Sequence, residues 1–158
     1  MPSNTDFVII ILLIVANGIF VMSEMAIVSS RKARLQQLAN QRDINAKIAL
    51  ELANSPNKFL AAIQIGITLL AIISGAFGES TISKILIPLL NSIPIFKSYS
   101  EAIATVIAIL IITYLTLVIG ELVPKRLALN NPEPIASAFA LPMQMLTNFT
   151  LPVVYLLN

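Results

Sequence analysis

The chain has 158 residues, of which 57% are hydrophobic and only 11% are charged, and its mean hydropathy is +0.88. This composition excludes an ordinary water-soluble domain and favours a membrane protein. The net charge of +2 gives no indication of nucleic-acid binding. Cysteine and histidine are absent, which excludes disulfides, thiolate or imidazole metal sites, and catalytic sites built on either residue.

Three apolar segments are long enough to cross a bilayer as helices: residues 7–30, 59–77 and 102–122. At about 1.5 Å of rise per residue, helices of this length match a hydrocarbon core of about 30 Å. A cleavable signal peptide is the alternative for the first segment, but only Asp6 precedes it, so the basic start of such a peptide is missing. The sequence therefore predicts an all-α membrane protein with three spans.

The segments between the spans differ in character. Residues 31–52 place apolar side chains at helical spacing among charges, which predicts an amphipathic helix along the inner membrane surface. Residues 78–101 contain Pro88 and Pro94 and predict a loop with at most a short helix. In that loop, Glu79 is either a vestibule group or, more simply, a solvated residue.

Orientation follows from the positions of the basic residues. Eight of the ten lie in residues 31–58 or at Lys125 and Arg126, and only Lys84 and Lys97 lie on the opposite side. By the positive-inside rule, the N-terminus is outside and Lys125 is cytoplasmic.

Residues 135–157 are apolar and long enough for a fourth span, but they contain Pro142 and Pro152. Each proline removes a backbone donor and disrupts a helix. The sequence therefore predicts a juxtamembrane hairpin of two short helices with both ends cytoplasmic. A fourth crossing, which would put the C-terminus outside, is the alternative.

Polar residues inside the spans indicate a structural or functional role. Inserting a carboxylate near the middle of a membrane helix costs about 2.5 to 3.5 kcal/mol of free energy. Asn17 and Glu24 are seven residues apart and share a face of the first span. In the second span, Gln64, Thr68 and Gly75 belong to a stripe of small and polar residues. That stripe indicates either ligands or close helix packing, including a dimer contact.

The third span ends in the sequence GELVPKR, residues 120–126. Pro124 cannot donate to the carbonyl four residues back, so the Gly120 oxygen is free beside the Glu121 carboxylate. A free carbonyl and a carboxylate together suit a hard cation. The alternative is that Pro124 merely breaks the helix while Glu121 pairs with Lys125, its i+4 neighbour.

These segments resemble the membrane domain of the CorC/cyclin M (CNNM) family. The resemblance covers nearly the whole chain and rests on FVMSEMAIVS at 20–29, QIGIT at 64–68, SGAFGE at 74–79 and GELVPK at 120–125. It implies a homodimer of three-span protomers, a nucleotide-binding pair of cytoplasmic CBS domains after the chain, and Mg²⁺ efflux coupled to Na⁺ entry. The whole chain, residues 1–158, is then one transmembrane domain.

The resemblance also implies that a dehydrated Mg²⁺ binds between the three spans and crosses by alternating access. The expected oxygen ligands come from Glu121, Gly120, Ser23, Thr68 and Gln64, with Asn17, Glu24 and Gly75 as secondary candidates. Val21, Ile67 and Ala71 depart from the family pattern and remove expected oxygen ligands.

Two other functions stay open, the first because one branch of the family that the chain resembles is associated with it. One is export of polyamines such as putrescine or cadaverine, whose ammonium groups also suit a carboxylate-lined cavity. The other is a membrane-anchored CBS sensor that transports nothing itself. Enzyme activity is the least favoured, since the sequence has no phosphate-binding loop and no zinc-protease motif.

Overall fold

Helices account for nearly all of the computed structural model, which describes residues 2–157; Met1 and Asn158, the ends of the predicted domain, lie outside the described residues. No strand occurs in this range. The α-helices are α1 (Asn4–Ser29), α2 (Lys32–Asn40), α3 (Ile44–Asn54), α4 (Pro56–Asn91), α5 (Ser100–Leu117), α6 (Val123–Asn130) and α7 (Pro132–Leu157). A 3₁₀ turn, Lys97–Tyr99, precedes α5, and a π-helical turn, Val118–Leu122, joins α5 to α6.

Four helical stretches are long and apolar enough to cross a membrane, by length and composition alone. They are Asn4–Ser29, Pro56–Asn91, Lys97–Asn130 and Pro132–Leu156. The first three contain the predicted spans, apart from Ser30, and the fourth contains the segment predicted as a hairpin, apart from Leu157. The prediction of an all-helical membrane protein is therefore confirmed, whereas the number of crossings has to be argued from contacts.

The second long helix corrects the loop predicted over residues 78–101. α4 has 36 residues and continues through Pro88 to Asn91. Pro88 is exposed, so the carbonyl that it leaves without a helical partner lies on an outer face. Glu79 is consequently a residue in the middle of a helix.

The predicted amphipathic helix over residues 31–52 is two helices. α2 ends at Asn40, and Arg42 then adopts a left-handed backbone conformation with φ of 68°. The side chain of Asp43 accepts a hydrogen bond of 3.1 Å from the backbone nitrogen of Ala46 and caps α3. Their buried residues, Leu35 on α2 and Ala46, Ala49 and Leu52 on α3, face the protein core.

The predicted hairpin over residues 135–157 is wrong, because α7 is one helix that continues through Pro142 and Pro152. Both prolines are exposed, while Ala136, Ala140 and Met143 on the opposite face are buried. This face packs against α1, α3 and α4. Packing of the buried face therefore holds the helix together across residues that disrupt an isolated helix.

The main hydrophobic core lies at one end of the bundle, where α7 and α3 meet the end of α1 and the start of α4. Its largest buried side chains are Phe59 and Ile63 of α4, Ile27 of α1 and Leu35 of α2. A second, smaller cluster of Ile10, Ile14 and Ile112 joins α1 to α5. The polar site described next lies between the helices that these clusters hold together.

Candidate functional site

The π-helical turn is the local irregularity around which the site is built. Within it, the backbone nitrogen of Val123 donates to the carbonyl of Val118, five residues earlier. Pro124 follows at once and has no N–H to donate. The helix then continues to Asn130, so Pro124 does not end it, as the alternative reading of this motif would have required: the wider turn accommodates the proline.

The freed carbonyl predicted at Gly120 has a partner on another helix. The side-chain Nδ2 of Asn17, on α1, donates to the Gly120 oxygen at 3.1 Å. Both residues are buried. A buried carbonyl needs a hydrogen-bond partner, and here α1 supplies it. The contact links the π-helical turn to the first long helix.

Two further oxygens at this contact are buried and accept no hydrogen bond from any residue in the described range. They are Oδ1 of Asn17 and Oγ1 of Thr116, which lies one turn before Gly120. A Cβ placed on Gly120 would lie 3.2 Å from Asn17 Nδ2 and 3.6 Å from Thr116 Cγ2, so the two side chains flank the same point. Unpartnered buried oxygens are rare and suit a water molecule or a cation.

Gly18 lets α1 approach the π-helical turn closely. A Cβ at this position would lie 3.1 Å from Pro124 Cγ and 3.2 Å from the Ile119 oxygen. Those distances are tighter than ordinary van der Waals contact, and the carbonyl belongs to the backbone. Glycine therefore permits the approach that lets Asn17 reach Gly120.

Charged residues lie on the C-terminal side of this contact: Glu121 directly follows Gly120, Lys125 is five residues after it, and Glu24 is two turns after Asn17. Lys125 Nζ and Glu121 Oε1 are 2.9 Å apart, and both side chains are partly exposed, 38% for the lysine and 44% for the glutamate. Glu24, on α1, lies within electrostatic range of both. The ion pair of Glu121 with Lys125, which the sequence offered as the alternative to a cation site, is thus present. The Glu24 carboxylate lies nearby.

Several predicted ligands lie away from this place. Ser23 is fully buried, but its Oγ donates to the Ile19 oxygen of its own helix at 2.7 Å. Gln64 and Thr68 are exposed on α4 and bond to each other at 3.3 Å. The α4 residue between them that faces α1 is Gly66, where a Cβ would lie 2.6 Å from the Phe20 ring.

The site residues predicted from the sequence thus divide into two groups. Asn17 and Gly120 meet where α1 packs on the π-helical turn, and Glu121 pairs with Lys125, with Glu24 within electrostatic range of both. Ser23, Gln64, Thr68 and Gly75 do not join them. Within residues 2–157, no group of three or more acidic side chains is arranged to hold a metal ion.

The sequence placed Glu79 in a loop and gave no role to Glu133. Glu79 belongs to α4 and lines a pocket with Gly75 and with Thr113 of α5. Glu133, at the start of α7, is buried and accepts from both the backbone nitrogen and Nε of Arg31 at 3.3 Å. The four-residue step from Gly75 to Glu79 is a signal that could have placed Glu79 on the stripe of the second span.

Comparison with known proteins identifies the family. The family described as "Cyclin M transmembrane N-terminal domain" matches residues 8–158. The UPF0053 protein sll0260 of Synechocystis is 50% identical over 94% of this chain and 33% of its own length. The UPF0053 protein YhdP of Bacillus subtilis is 35% identical over 97% of this chain and 34% of its own length.

A relative with a functional name is the polyamine export protein of Haemophilus influenzae, which is 33% identical over 80% of this chain and 29% of its own length. The chain spans about a third of the length of these relatives. Because the family match covers almost all of the sequence, the chain belongs to the cyclin M (CNNM) transmembrane-domain family.

Proposed function

We propose that this chain is the membrane part of a cation exporter whose passenger binds where α1 meets the π-helical turn. The observation that carries the proposal is the ion pair of Glu121 with Lys125 at 2.9 Å, within range of Glu24. A primary ammonium already occupies this acidic place. A passenger that carries a similar charge can replace Lys125 at Glu121 in one half of an alternating-access cycle. In the opposite half, the passenger leaves and Lys125 pairs with Glu121 again.

The passenger that this arrangement favours is a polyamine. Its terminal ammonium has the size, charge and hydrogen-bonding capacity of the lysine that it would displace. The name of the Haemophilus influenzae relative gives independent support. A polyamine ammonium does not need the closely packed oxygen ligands that a dehydrated metal ion requires.

Mg²⁺ is the second candidate, and a specific observation favours it. Asn17 Oδ1 and Thr116 Oγ1 are buried and unpartnered, and the side chains that carry them flank Gly120. These are hard neutral oxygens, and Glu121 lies one residue from the Gly120 carbonyl. Mg²⁺ takes about six oxygens near 2.1 Å, so it would have to retain water or draw further ligands inward. Coupling of its efflux to Na⁺ entry belongs to this candidate.

The membrane arrangement that we propose has three crossings, with the N-terminus outside and the basic segment between α1 and α4 in the cytoplasm. A homodimer and a following CBS pair with bound nucleotide complete the proposed full-length exporter. Transport by the purified protein also separates this function from that of a CBS-bearing sensor that carries nothing.

Flux into proteoliposomes tests the proposal. Labelled putrescine and a Mg²⁺-sensitive dye are used in parallel on wild type, Glu121→Gln, and the exposed control Glu51→Gln on α3. We expect Glu121→Gln to reduce the flux of the true passenger at least tenfold and the control to leave it unchanged. The probe that moves identifies the passenger. Flux of neither above protein-free vesicles, or full flux in Glu121→Gln, contradicts the proposal.

Replacement of Lys125 provides a second test of the same site. In Lys125→Gln the internal competitor for Glu121 is gone, so the apparent affinity for the passenger should rise several-fold. Binding of putrescine or Mg²⁺ to the protein in lipid nanodiscs measures this directly. A fall in affinity would mean that Lys125 helps to hold the passenger, and competition would be the wrong description.

A further inference from the structure

Glu79 is the intramembrane acid that the proposed site does not use. It lies in α4, 12 residues before the end of the helix, and its Oε1 accepts a hydrogen bond of 2.6 Å from Ser83. Neither of the ion pairs found between residues 2 and 157 includes it. An ionisable residue in a membrane helix is costly and indicates a functional site.

The position of Glu79 along the bundle follows from the residues of α5 against which it packs. The pocket that Glu79 lines includes Ile109, Ile112 and Thr113 of α5. Thr113 lies near the middle of the third apolar segment, residues 102–122. Glu79 is therefore level with Thr113 of α5 and, through Ile112, with Ile10 and Ile14 in the first half of α1. Thr113 precedes Glu121 by eight residues, or about 12 Å along a helix axis.

The pocket is a groove that is open to the outside of the bundle, and three of its lining residues, Ala76, Ile109 and Thr113, are exposed. It has a volume of about 310 Å³ and is lined by Gly75, Ala76, Glu79, Ile109, Ile112 and Thr113. A Cβ added to Gly75 would meet nothing within 4 Å, so the glycine leaves open space beside the carboxylate. A carboxylate that needed only to be protonated would require no such space.

The residues that line the Glu79 pocket indicate which class of ligand it binds. One carboxylate balances one positive charge, the hydroxyl of Thr113 can accept a hydrogen bond, and Ile109, Ile112 and Ala76 offer an apolar wall. No other carboxylate lines the pocket, so it lacks the charge that a divalent metal favours. An alkyl chain with a terminal ammonium group matches both parts of this lining.

We infer that the Glu79 pocket is a second binding station for an alkylammonium ion, about 12 Å from Glu121 toward the outer side. The inference rests on the proposed function, which supplies the passenger and the direction. Thr113, Thr116 and Gly120 lie along one face of the third helix between the two stations. A passenger that leaves Glu121 would bind at Glu79 before release.

Equilibrium binding of putrescine to the protein in lipid nanodiscs tests the station separately from transport. Glu121→Gln serves as the background, because it removes the first station. We expect putrescine still to bind this variant, and Glu79→Gln added to it to weaken that binding at least tenfold. Glu101→Gln, an exposed acid at the start of α5, is the matched control and should have no effect.

Gly75→Leu provides an independent variant in case Glu79→Gln does not fold. It fills the open space without changing any charge, and it should also weaken binding at least tenfold. Absence of binding in Glu121→Gln, or equal binding with and without Glu79, overturns the inference. If the wild-type protein transports putrescine and either of those binding results is obtained, only the second station is contradicted and the proposed function stands. Binding that depends on Glu79 without any flux overturns only the proposed function.

Discussion

Asn17 is the residue on which the local geometry of the site depends. Its amide donates to a carbonyl that Pro124 deprives of a helical partner, and it does so from a different helix. The sequence could predict the free Gly120 carbonyl, because that follows from proline chemistry alone. It could not predict the partner, since the distance between residues 17 and 120 is set by how α1 packs on the π-helical turn.

Replacement of Asn17 by leucine should destabilise the protein. Leucine has a similar size but cannot donate to the Gly120 oxygen, which would remain buried without a partner. We expect a loss of about 0.5 to 2 kcal/mol, because hydrogen bonds between membrane helices contribute about 0.6 to 2 kcal/mol. Thermal unfolding in detergent, followed by circular dichroism at the helix band, measures the effect.

Ser29→Ala is the matched control for that measurement. Ser29 also lies on α1, but its hydroxyl contacts only the sulfur of Met25, at 3.4 Å. Its replacement should leave the unfolding temperature nearly unchanged. If Asn17→Leu unfolds at the temperature of the control, the hydrogen bond to Gly120 contributes nothing measurable.

At the scale of elements, the contact between α4 and α5 depends on Gly78. A Cβ on Gly78 would overlap the side chain of Ile112, with Cγ1 at 2.7 Å, and Ile112 is only 4% exposed. Gly75, one turn earlier on the same helix, faces open space. The sequence groups both glycines into one stripe, and only the packing of α5 distinguishes a close contact from a pocket.

The two glycines make a matched pair of variants. Gly75→Ala should be neutral or stabilising by up to about 1 kcal/mol, because alanine favours the helix. Gly78→Ala has the same helical preference but forces Ile112 to move, and overpacking of this kind costs about 1 to 3 kcal/mol. Unfolding in detergent should therefore occur at a lower temperature in Gly78→Ala than in Gly75→Ala. Equal unfolding temperatures would contradict the close packing at Gly78.

Helix α7 shows why local rules failed for one element. Pro142 and Pro152 each remove a helical hydrogen bond, and the sequence alone favours an interruption. Their positions on the exposed face leave Ala136, Ala140 and Met143 free to pack against the core. Apolar spacing reveals which face packs, but nothing local reveals that packing outweighs two missing hydrogen bonds.

At the scale of the whole molecule, the two ends of α7 indicate how it lies. Its start is held to Arg31, at the end of α1, through Glu133. Near its other end, the ring of Tyr155 lies under the ammonium of Lys58, 5.8 Å from the ring centre, at the start of α4. The end of α1 and the start of α4 are joined by α2 and α3 on one side of the bundle. Both ends of α7 therefore lie on that side.

This arrangement favours three crossings, although α7 is long and apolar enough for a fourth. The absence of cysteine from the chain makes the test clean, because single cysteines can be introduced without background labelling. Suitable exposed positions are Ser98 in the turn before α5, Gln41 between α2 and α3, Asn131 before α7, and Leu156 near its end. A charged maleimide that does not cross membranes is applied to intact cells and to permeabilised cells.

We expect Ser98→Cys to react in intact cells, and Gln41→Cys, Asn131→Cys and Leu156→Cys to react only after permeabilisation. Asn131 and Leu156 flank the same helix, so their agreement or disagreement decides whether it crosses. If α7 is a fourth crossing, Leu156→Cys reacts from outside together with Ser98→Cys while Asn131→Cys does not. Reaction of Gln41→Cys from outside would instead reverse the orientation that the basic residues predict, because the segment joining α1 and α4 would then face the exterior.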